Sequence, residues 1–337
     1  MYGVLQGFAL ILGIIGAGYL TARFGVVQGD QRRVLNNVAF FVATPALLFT
    51  VLRQSDPSIM LSPVILITSL AAIIVATVFV VASRLWFKRD RAATTLGAAC
   101  SGYVNANNLG LPVAVYILGD AAYVAPLILV QLIFFAPTIL SMLETTRTGR
   151  LVDGPPPEQA GRAEQAERAG QAGQDGASGG ALRGGLSALG RAASNPIIIA
   201  SVLGLVVALV GIPIPSLLSA PLEMLGDAAI PMVLLSFGIS LRGQRALQRG
   251  TGRSAVFTAT ALKLLLMPAV AWGLATAFGL GPHEVFVATI IAALPTAQNV
   301  YNYAATYRRA ETMVRDTVFL TTFASLPIIA GIAWWLG

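Results

Sequence analysis

Runs of about 20 apolar residues recur along the whole chain, each long enough for a helix to cross the hydrocarbon core of a bilayer. A membrane β-barrel would instead show segments of about 10 residues with strict alternation, and that pattern is not present. Charged residues make up 11% of the sequence and the mean hydropathy is +0.75. A soluble domain carries about 25% charged residues, so no soluble core explains the deficit. The sequence therefore predicts an all-α transmembrane protein. Its opening stretch, MYGVLQGFALILGIIGAGYLTARFG, lacks a basic n-region, and its apolar run exceeds the core of a signal peptide. It is read as a retained first span.

Ten spans are expected, at roughly 2–22, 32–53, 62–86, 93–119, 121–145, 195–211, 215–241, 254–280, 283–307 and 312–336. Residues 148–191 differ in kind. They are rich in Gly, Ala, Gln, Glu, Arg and Pro and nearly devoid of large apolar side chains. Such a segment cannot bury enough surface to offset its ordering entropy. It is read as a flexible linker between a first five-helix repeat (1–147) and a second (192–337), although EQAGRAEQAERAGQAG within it could form a fraying helix.

Orientation follows from the basic residues. Of the 22, 20 fall in the linker or near the loops after spans 1, 3, 7 and 9, all on one side if the count is ten. Arg53 is expected in a loop on the other side and Lys263 within a span. Basic loops mark the cytoplasmic side. The expectation is a multi-pass protein of the inner (plasma) membrane with a cytoplasmic linker and both termini outside. The net charge of +7 has this origin and does not point to nucleic acid.

Five spans on each side of the linker means that the second half enters the membrane in the opposite direction, an inverted repeat of the kind found in secondary transporters. Mid-span prolines support it. Pro45 in span 2 and Pro112 in span 4 are 67 residues apart; Pro231 in span 7 and Pro295 in span 9 are 64 apart. Proline removes a helix hydrogen bond and clashes with the preceding turn, so these four are the candidate helix-break residues.

Spans 4 and 9 also carry clusters of neutral polar groups. SGYVNANNLGLPVAV places Asn105, Asn107, Asn108 and Gly110 at mid-membrane, and AALPTAQNVYNYA places Thr296, Gln298, Asn299 and Asn302 at similar depth. Unpaired polar groups cost several kcal/mol in hydrocarbon, so these must face protein or a water-filled cavity. A broken span points the N-terminus of its second half at the midplane, with free N–H groups and roughly +0.5 charge. Two such ends favour an anion. No Asp or Glu stands beside either break to cancel them, and Asn, Gln and Thr can donate to a carboxylate. The eight residues are therefore candidate substrate-binding residues; the plainer alternative is that the amides only cap kinked helices.

Glu223, Asp227 and Lys263 are ionisable residues inside spans, where charge costs about 2.5–3.5 kcal/mol and usually serves function. Either acid could take up a coupling proton, or Lys263 could form a structural ion pair with one of them. The glycines of GIIGAG in span 1 suit close helix packing. His283 and the single Cys100 have no partners for metal or nucleophilic chemistry, so no catalytic residue, metal or cofactor is expected.

NANNLGLP in span 4, LPTAQNVYNYA in span 9 and LGDAAIPMVLLSFGISL in span 7 resemble the auxin efflux carrier family, bacterial branch. The resemblance covers both membrane halves and excludes the linker. It implies a crossover fold, with spans 1, 2, 6 and 7 as scaffold and spans 3–5 and 8–10 as a mobile transport domain. It also implies elevator-type alternating access, a homodimer, and organic carboxylates such as malate, malonate or indole-acetic acid as substrates. A cation or proton antiporter on the same fold is the alternative, disfavoured by the missing acid at the breaks. A membrane-embedded enzyme or receptor is disfavoured by the lack of a catalytic pair or sizeable soluble domain.

Overall fold

A computed structural model describes residues 2–27, 29–55, 62–147, 195–242 and 252–337. The expected linker at 148–191 lies outside the described residues. Within them the protein is all-helical, without a named strand. Twelve helical segments follow in order: α1 Tyr2–Arg23, α2 Gln31–Gln54, α3 Pro63–Phe87, α4 Arg91–Gly102, α5 Ala106–Leu118 and α6 Ala121–Leu143 in the first part, then α7 Pro196–Val210, α8 Ser216–Ser240, α9 Arg253–Ala277, α10 Pro282–Ala293, α11 Asn299–Tyr307 and α12 Glu311–Leu336. Six of these, α2, α3, α6, α8, α9 and α12, are long and apolar enough to cross a membrane. The expected spans at 93–119 and 283–307 are each realised as two shorter pieces, α4 with α5 and α10 with α11.

Local chemistry sets the helix ends. Asp90 accepts from the Ala93 amide (3.1 Å) to start α4, and Asn195 accepts from the Ile197 amide (2.9 Å) to start α7, with Pro196 at the first helical position. Both are N-caps that satisfy otherwise orphaned donors. At α10, Gly281 donates its N–H to Glu284 Oε2 (3.1 Å). Left-handed Gly119 (φ +88°) and Gly211 (φ +69°) close α5 and α7, a conformation that suits glycine.

Four interior prolines follow a widened turn of the helix and do not break it. Turns with hydrogen bonds to the fifth residue span Ala39–Ala43, Ala106–Gly110, Gln131–Phe135 and Leu262–Leu266. Each ends two residues before a proline: Pro45, Pro112, Pro137 and Pro268. The proline ring crowds the carbonyl four residues back and supplies no N–H, and the preceding turn relaxes by admitting an extra residue. Pro45 and Pro112 therefore lie within continuing helices and are not break residues. At Pro231 the helical pattern lapses only at Ala228, and α8 continues. Pro295 alone of the four sits in a full interruption.

The helices pack in two groups. In one, α1 lies against the second half of α8, α7 lies against the second half of α2, and α8 crosses α2. Backbones approach closely here. A Cβ on Gly18 or Gly238 would strike the backbone carbonyl of Leu235 or Ile15, and one on Gly204 would stand 2.7 Å from the Phe49 carbonyl oxygen. Gly13 and Gly16 have nothing within 4 Å of a built Cβ, so of the GIIGAG glycines only Gly18 is a close-packing position. In the other group α3 packs on α4, α9 on α10, and α3, α9 and α12 enclose α4 and α10. Large apolar side chains cover the outside, including Leu66 (62% exposed), Phe134 (64%) and Leu217 (84%), as expected of a multi-pass protein whose solvent is lipid.

Candidate functional site

The two interruptions meet. Between α4 and α5 the chain is extended at Tyr103 (ψ 117°) and non-helical through Asn105 (φ −76°, ψ 65°). Between α10 and α11 it leaves the helix at Leu294 (ψ 148°) and resumes after Gln298. Val104 and Thr296 form an antiparallel bridge, in which the Asn105 amide donates to the Pro295 carbonyl (2.9 Å) and the Ala297 amide to the Tyr103 carbonyl (3.0 Å). Backbone groups stripped of helix partners inside an apolar core must find others, and each break supplies them to the other.

Side chains complete the crossing. Thr296, fully buried, donates its hydroxyl to the Cys100 carbonyl (2.6 Å) in the last turn of α4, while the Thr296 amide donates to Thr321 Oγ1 (3.2 Å) on α12. Tyr103, buried, shares hydroxyl hydrogen bonds with Asn299 and Tyr303. Asn105, buried, accepts at Oδ1 from the Asn108 amide (3.2 Å) and caps α5. Helix α11 begins at Gln298 without a side-chain cap.

A cavity of about 530 Å³ reaches this point. Gln298, Ser240 and Val318 border it and also a smaller recess of about 30 Å³ that extends to Asn105. Its wall carries Arg32 from α2, Arg242 after α8 and Arg315 from α12, together with Tyr301. Arg242 donates to the Ala22 carbonyl. Arg315 holds Asp316 through Nη2 (3.0 Å) and Nε (3.2 Å), with Asp316 only 3% exposed. Three arginines far apart in the chain thus border one cavity that ends at the crossing.

The eight residues expected to bind substrate divide accordingly. Asn105 and Gln298 border the cavity and its recess. Thr296 is committed to Cys100, and Gly110 is a packing position where a Cβ would meet Val124 and Leu294 at 3.1 and 3.2 Å. Asn107 donates to Asn108 Oδ1 (3.1 Å), and its own Oδ1 is buried without a partner. Asn108, Asn299 and Asn302 border neither the cavity nor the recess.

The ionisable residues pair differently from expectation. Glu223 accepts from Arg53 (2.7 Å), which lies in the last turn of α2 and not in a loop. Lys263 is fully buried and donates from Nζ to the Ala292 carbonyl (2.8 Å), with Met267 Sδ at 3.0 Å. No ion pair joins Lys263 to Glu223 or Asp227; a carbonyl close by is a nearer partner than an acid on another helix group. Asp227 is exposed and neither acid borders the cavity. Arg32, Arg242 and Arg315, read from the sequence only as markers of orientation, border the cavity, and the sequence did not single out Asp316.

Residues 4–333 match the family described as membrane transport protein. The chain is similar to the "Putative malonate transporter" of Rhizobium meliloti (strain 1021), 26% identical over 96% of this chain and 92% of that protein. It is also similar to two uncharacterised archaeal transporters. That of Methanocaldococcus jannaschii is 22% identical over 96% of each chain. That of Methanothermobacter thermautotrophicus is 25% identical over 94% of this chain and 93% of that one. These are transport proteins and not enzymes, and with its match running almost end to end the chain belongs to this membrane transport family, the auxin efflux carriers.

Proposed function

We propose that the protein is a secondary carrier of small organic carboxylates, with malonate, named for the Rhizobium relative, as the first substrate to test. The observation that carries this reading is the cavity: Arg32, Arg242 and Arg315 border it, and it ends where Gln298 and the uncapped start of α11 meet the crossing. A helix start concentrates free N–H donors and partial positive charge. An amide side chain adds a further donor suited to a carboxylate oxygen. Asn105 and Gln298 are the binding residues proposed first; Asn107 and Asn108 follow the first break and Asn299 the second, and Asn302 lies one turn beyond Gln298.

The architecture proposed with it is ten spans in two inverted halves, residues 1–147 and 192–337, joined by a cytoplasmic linker in the inner membrane, with both termini outside. Packing supports this. Span 1 lies on span 7 as span 6 lies on span 2, and span 3 packs on span 4 as span 8 packs on span 9. Contacts are dense within the group of spans 1, 2, 6 and 7 and within the group of spans 3–5 and 8–10, and sparser between them, the main exception being α1 against α5. A scaffold and a transport domain that slides against it, as an elevator, would divide along that line, with the scaffold forming the homodimer contact. The cavity is bordered by residues of the arginine-rich side, so the conformation described here opens to the cytoplasm.

Thermal unfolding of the purified protein with malonate, malate, acetate and indole-acetic acid tests the reading, since a ligand of the folded state raises the apparent midpoint. A carboxylate should raise it, and Gln298→Ala or Asn105→Ala should abolish the rise while Asn302→Ala keeps it. A shift with sodium and with no carboxylate would instead mark a cation antiporter.

A further inference from the structure

Six cations meet at one corner of the protein. Arg84, Lys88, Arg89 and Arg91 come from the end of α3 and the start of α4, and Arg308 and Arg309 follow α11. Packing brings these places together. Ser83 and Thr94 share a hydroxyl hydrogen bond (2.7 Å) that ties the end of α3 to α4, and Asp90 stands 3.7 Å from Arg309. The Arg89 guanidinium lies against Gly252, at the start of α9. The acids in the same stretches are Asp90, which also caps α4, and Glu311. Arg84, Lys88, Arg89, Arg91 and Arg308 enter none of the ion pairs among the described residues. Orientation accounts for basic residues in such a loop. It does not account for their gathering, largely unanswered by acid, where four helix ends converge. Nor does it account for Leu85 and Trp86 in the last turn of α3, which are 63% and 75% exposed. Apolar side chains bare at the end of a membrane-crossing helix lie in lipid, and tryptophan favours the headgroup level. Lys88 follows Trp86 by two residues, so these cations stand at the depth of lipid phosphates.

We propose that this corner binds a phospholipid with a net negative headgroup: Arg84, Lys88 and Arg91 hold the headgroup, and the acyl chains lie along Leu85 and Trp86. A phosphate oxygen accepts charge-assisted hydrogen bonds from guanidinium and ammonium groups. Each basic residue at such a surface strengthens the attraction about fivefold. The lipid supplies the negative charge that the protein leaves out here. It thereby holds the α3–α4 connection to the end of α11, the helix that leads back to the crossing. None of the six cations borders the cavity, so the site is distinct from the proposed substrate site and does not depend on the carboxylate reading.

The experiment unfolds the purified protein thermally in detergent micelles with added dioleoyl-phosphatidylglycerol, dioleoyl-phosphatidylcholine or glycerol 3-phosphate. Phosphatidylglycerol should raise the midpoint above the value in phosphatidylcholine. The Arg84→Gln, Lys88→Gln, Arg91→Gln triple variant, changed only at exposed positions, should need about tenfold more phosphatidylglycerol, or worse, for the same rise. The Arg23→Gln, Arg33→Gln double variant, which removes two cations flanking the turn between α1 and α2, should respond as wild type does. Equal wild-type midpoints in the two lipids overturn the proposal, and so does a triple variant that responds as wild type. A double variant as impaired as the triple one overturns it too, because the attraction would then belong to the whole basic face. Glycerol 3-phosphate that reproduces the rise at the same concentration would mark a site for a soluble phosphate ester and not for a lipid. If the triple variant does not fold, Arg84→Gln and Lys88→Gln are measured singly, and an unchanged response in both overturns the proposal.

Discussion

Val104 and Thr296, from opposite halves of the chain, are bridged backbone to backbone at the point where two helices are interrupted. Neither interruption is stable alone, because each strands amides and carbonyls in an apolar interior. The pairing makes them one structural unit, and the consequences are measurable.

Thr296→Val keeps the shape of the side chain and removes its hydroxyl. The Cys100 carbonyl, at a fully buried residue, then loses the donor now 2.6 Å away. An unsatisfied buried acceptor costs about 1–3 kcal/mol. The variant should unfold at a lower temperature than wild type in the same detergent, and Thr296→Ser should recover most of the loss. Equal midpoints for Thr296→Val and wild type would show that this hydroxyl does not hold the crossing.

The seam between α1 and α8 and the open face of α1 should respond differently to the same small change. Alanine at Gly18 or Gly238 places a methyl group against the backbone of the partner helix, and backbone cannot step aside as a flexible side chain can. Overpacking of this kind costs about 1–3 kcal/mol. Alanine at Gly13 or Gly16 meets open space and gains helix propensity. Thermal midpoints of the four variants, compared at matched expression, check the contrast: the first pair should fall and the second should hold or rise.

Much of this arrangement could be read from residue types. Amide clusters at mid-span in 93–119 and 283–307 must face protein or water, and both segments are interrupted. The place of the first interruption could not be read, because Pro112 marks a widened turn and the break lies upstream at Tyr103–Asn105. A proline signals a missing donor, and whether the helix answers with a wider turn or a full break depends on what lies opposite. Here Pro295 and Thr296 lie opposite the Tyr103–Asn105 stretch. The amide clusters likewise pointed to the site without ranking its members. Gln298 borders the cavity at the start of α11, while Asn302, one turn farther along the helix, does not, and that depends on where α11 starts. Arg53 with Glu223, and Lys263 with Ala292, join helices that no sequence spacing relates.

The Arg53–Glu223 contact is structural and partly solvated, with the Glu223 side chain 43% exposed. Screening limits such a pair to under about 1 kcal/mol. A double-mutant cycle with Arg53→Met and Glu223→Gln should return a coupling energy in that range. Since neither Glu223 nor Asp227 borders the cavity, a Glu223→Gln, Asp227→Asn double variant should keep whatever pH dependence transport has in proteoliposomes. Loss of that dependence would return the proton to these two acids.

The arginines that border the cavity should govern how fast an anion arrives more than how tightly it is finally held. Charges lining a cleft raise the local concentration of an oppositely charged ligand, and salt screens them with a Debye length of about 10 Å at 0.1 M. Uptake of malonate at low substrate should therefore fall as salt rises. Neutralising Arg32 or Arg242 with glutamine should lower uptake at low salt, flatten the salt dependence and raise KM more than it changes kcat. Arg315 differs because it holds Asp316, a carboxylate only 3% exposed. Removing the arginine alone strands that negative charge beside an anion path, so Arg315→Gln should impair uptake more than Arg32→Gln does. The Arg315→Gln, Asp316→Asn double variant should recover part of the activity, because it removes the stranded charge along with its partner. A double variant no better than Arg315→Gln would mean that Arg315 contacts the substrate directly, and that its pairing with Asp316 is incidental to transport.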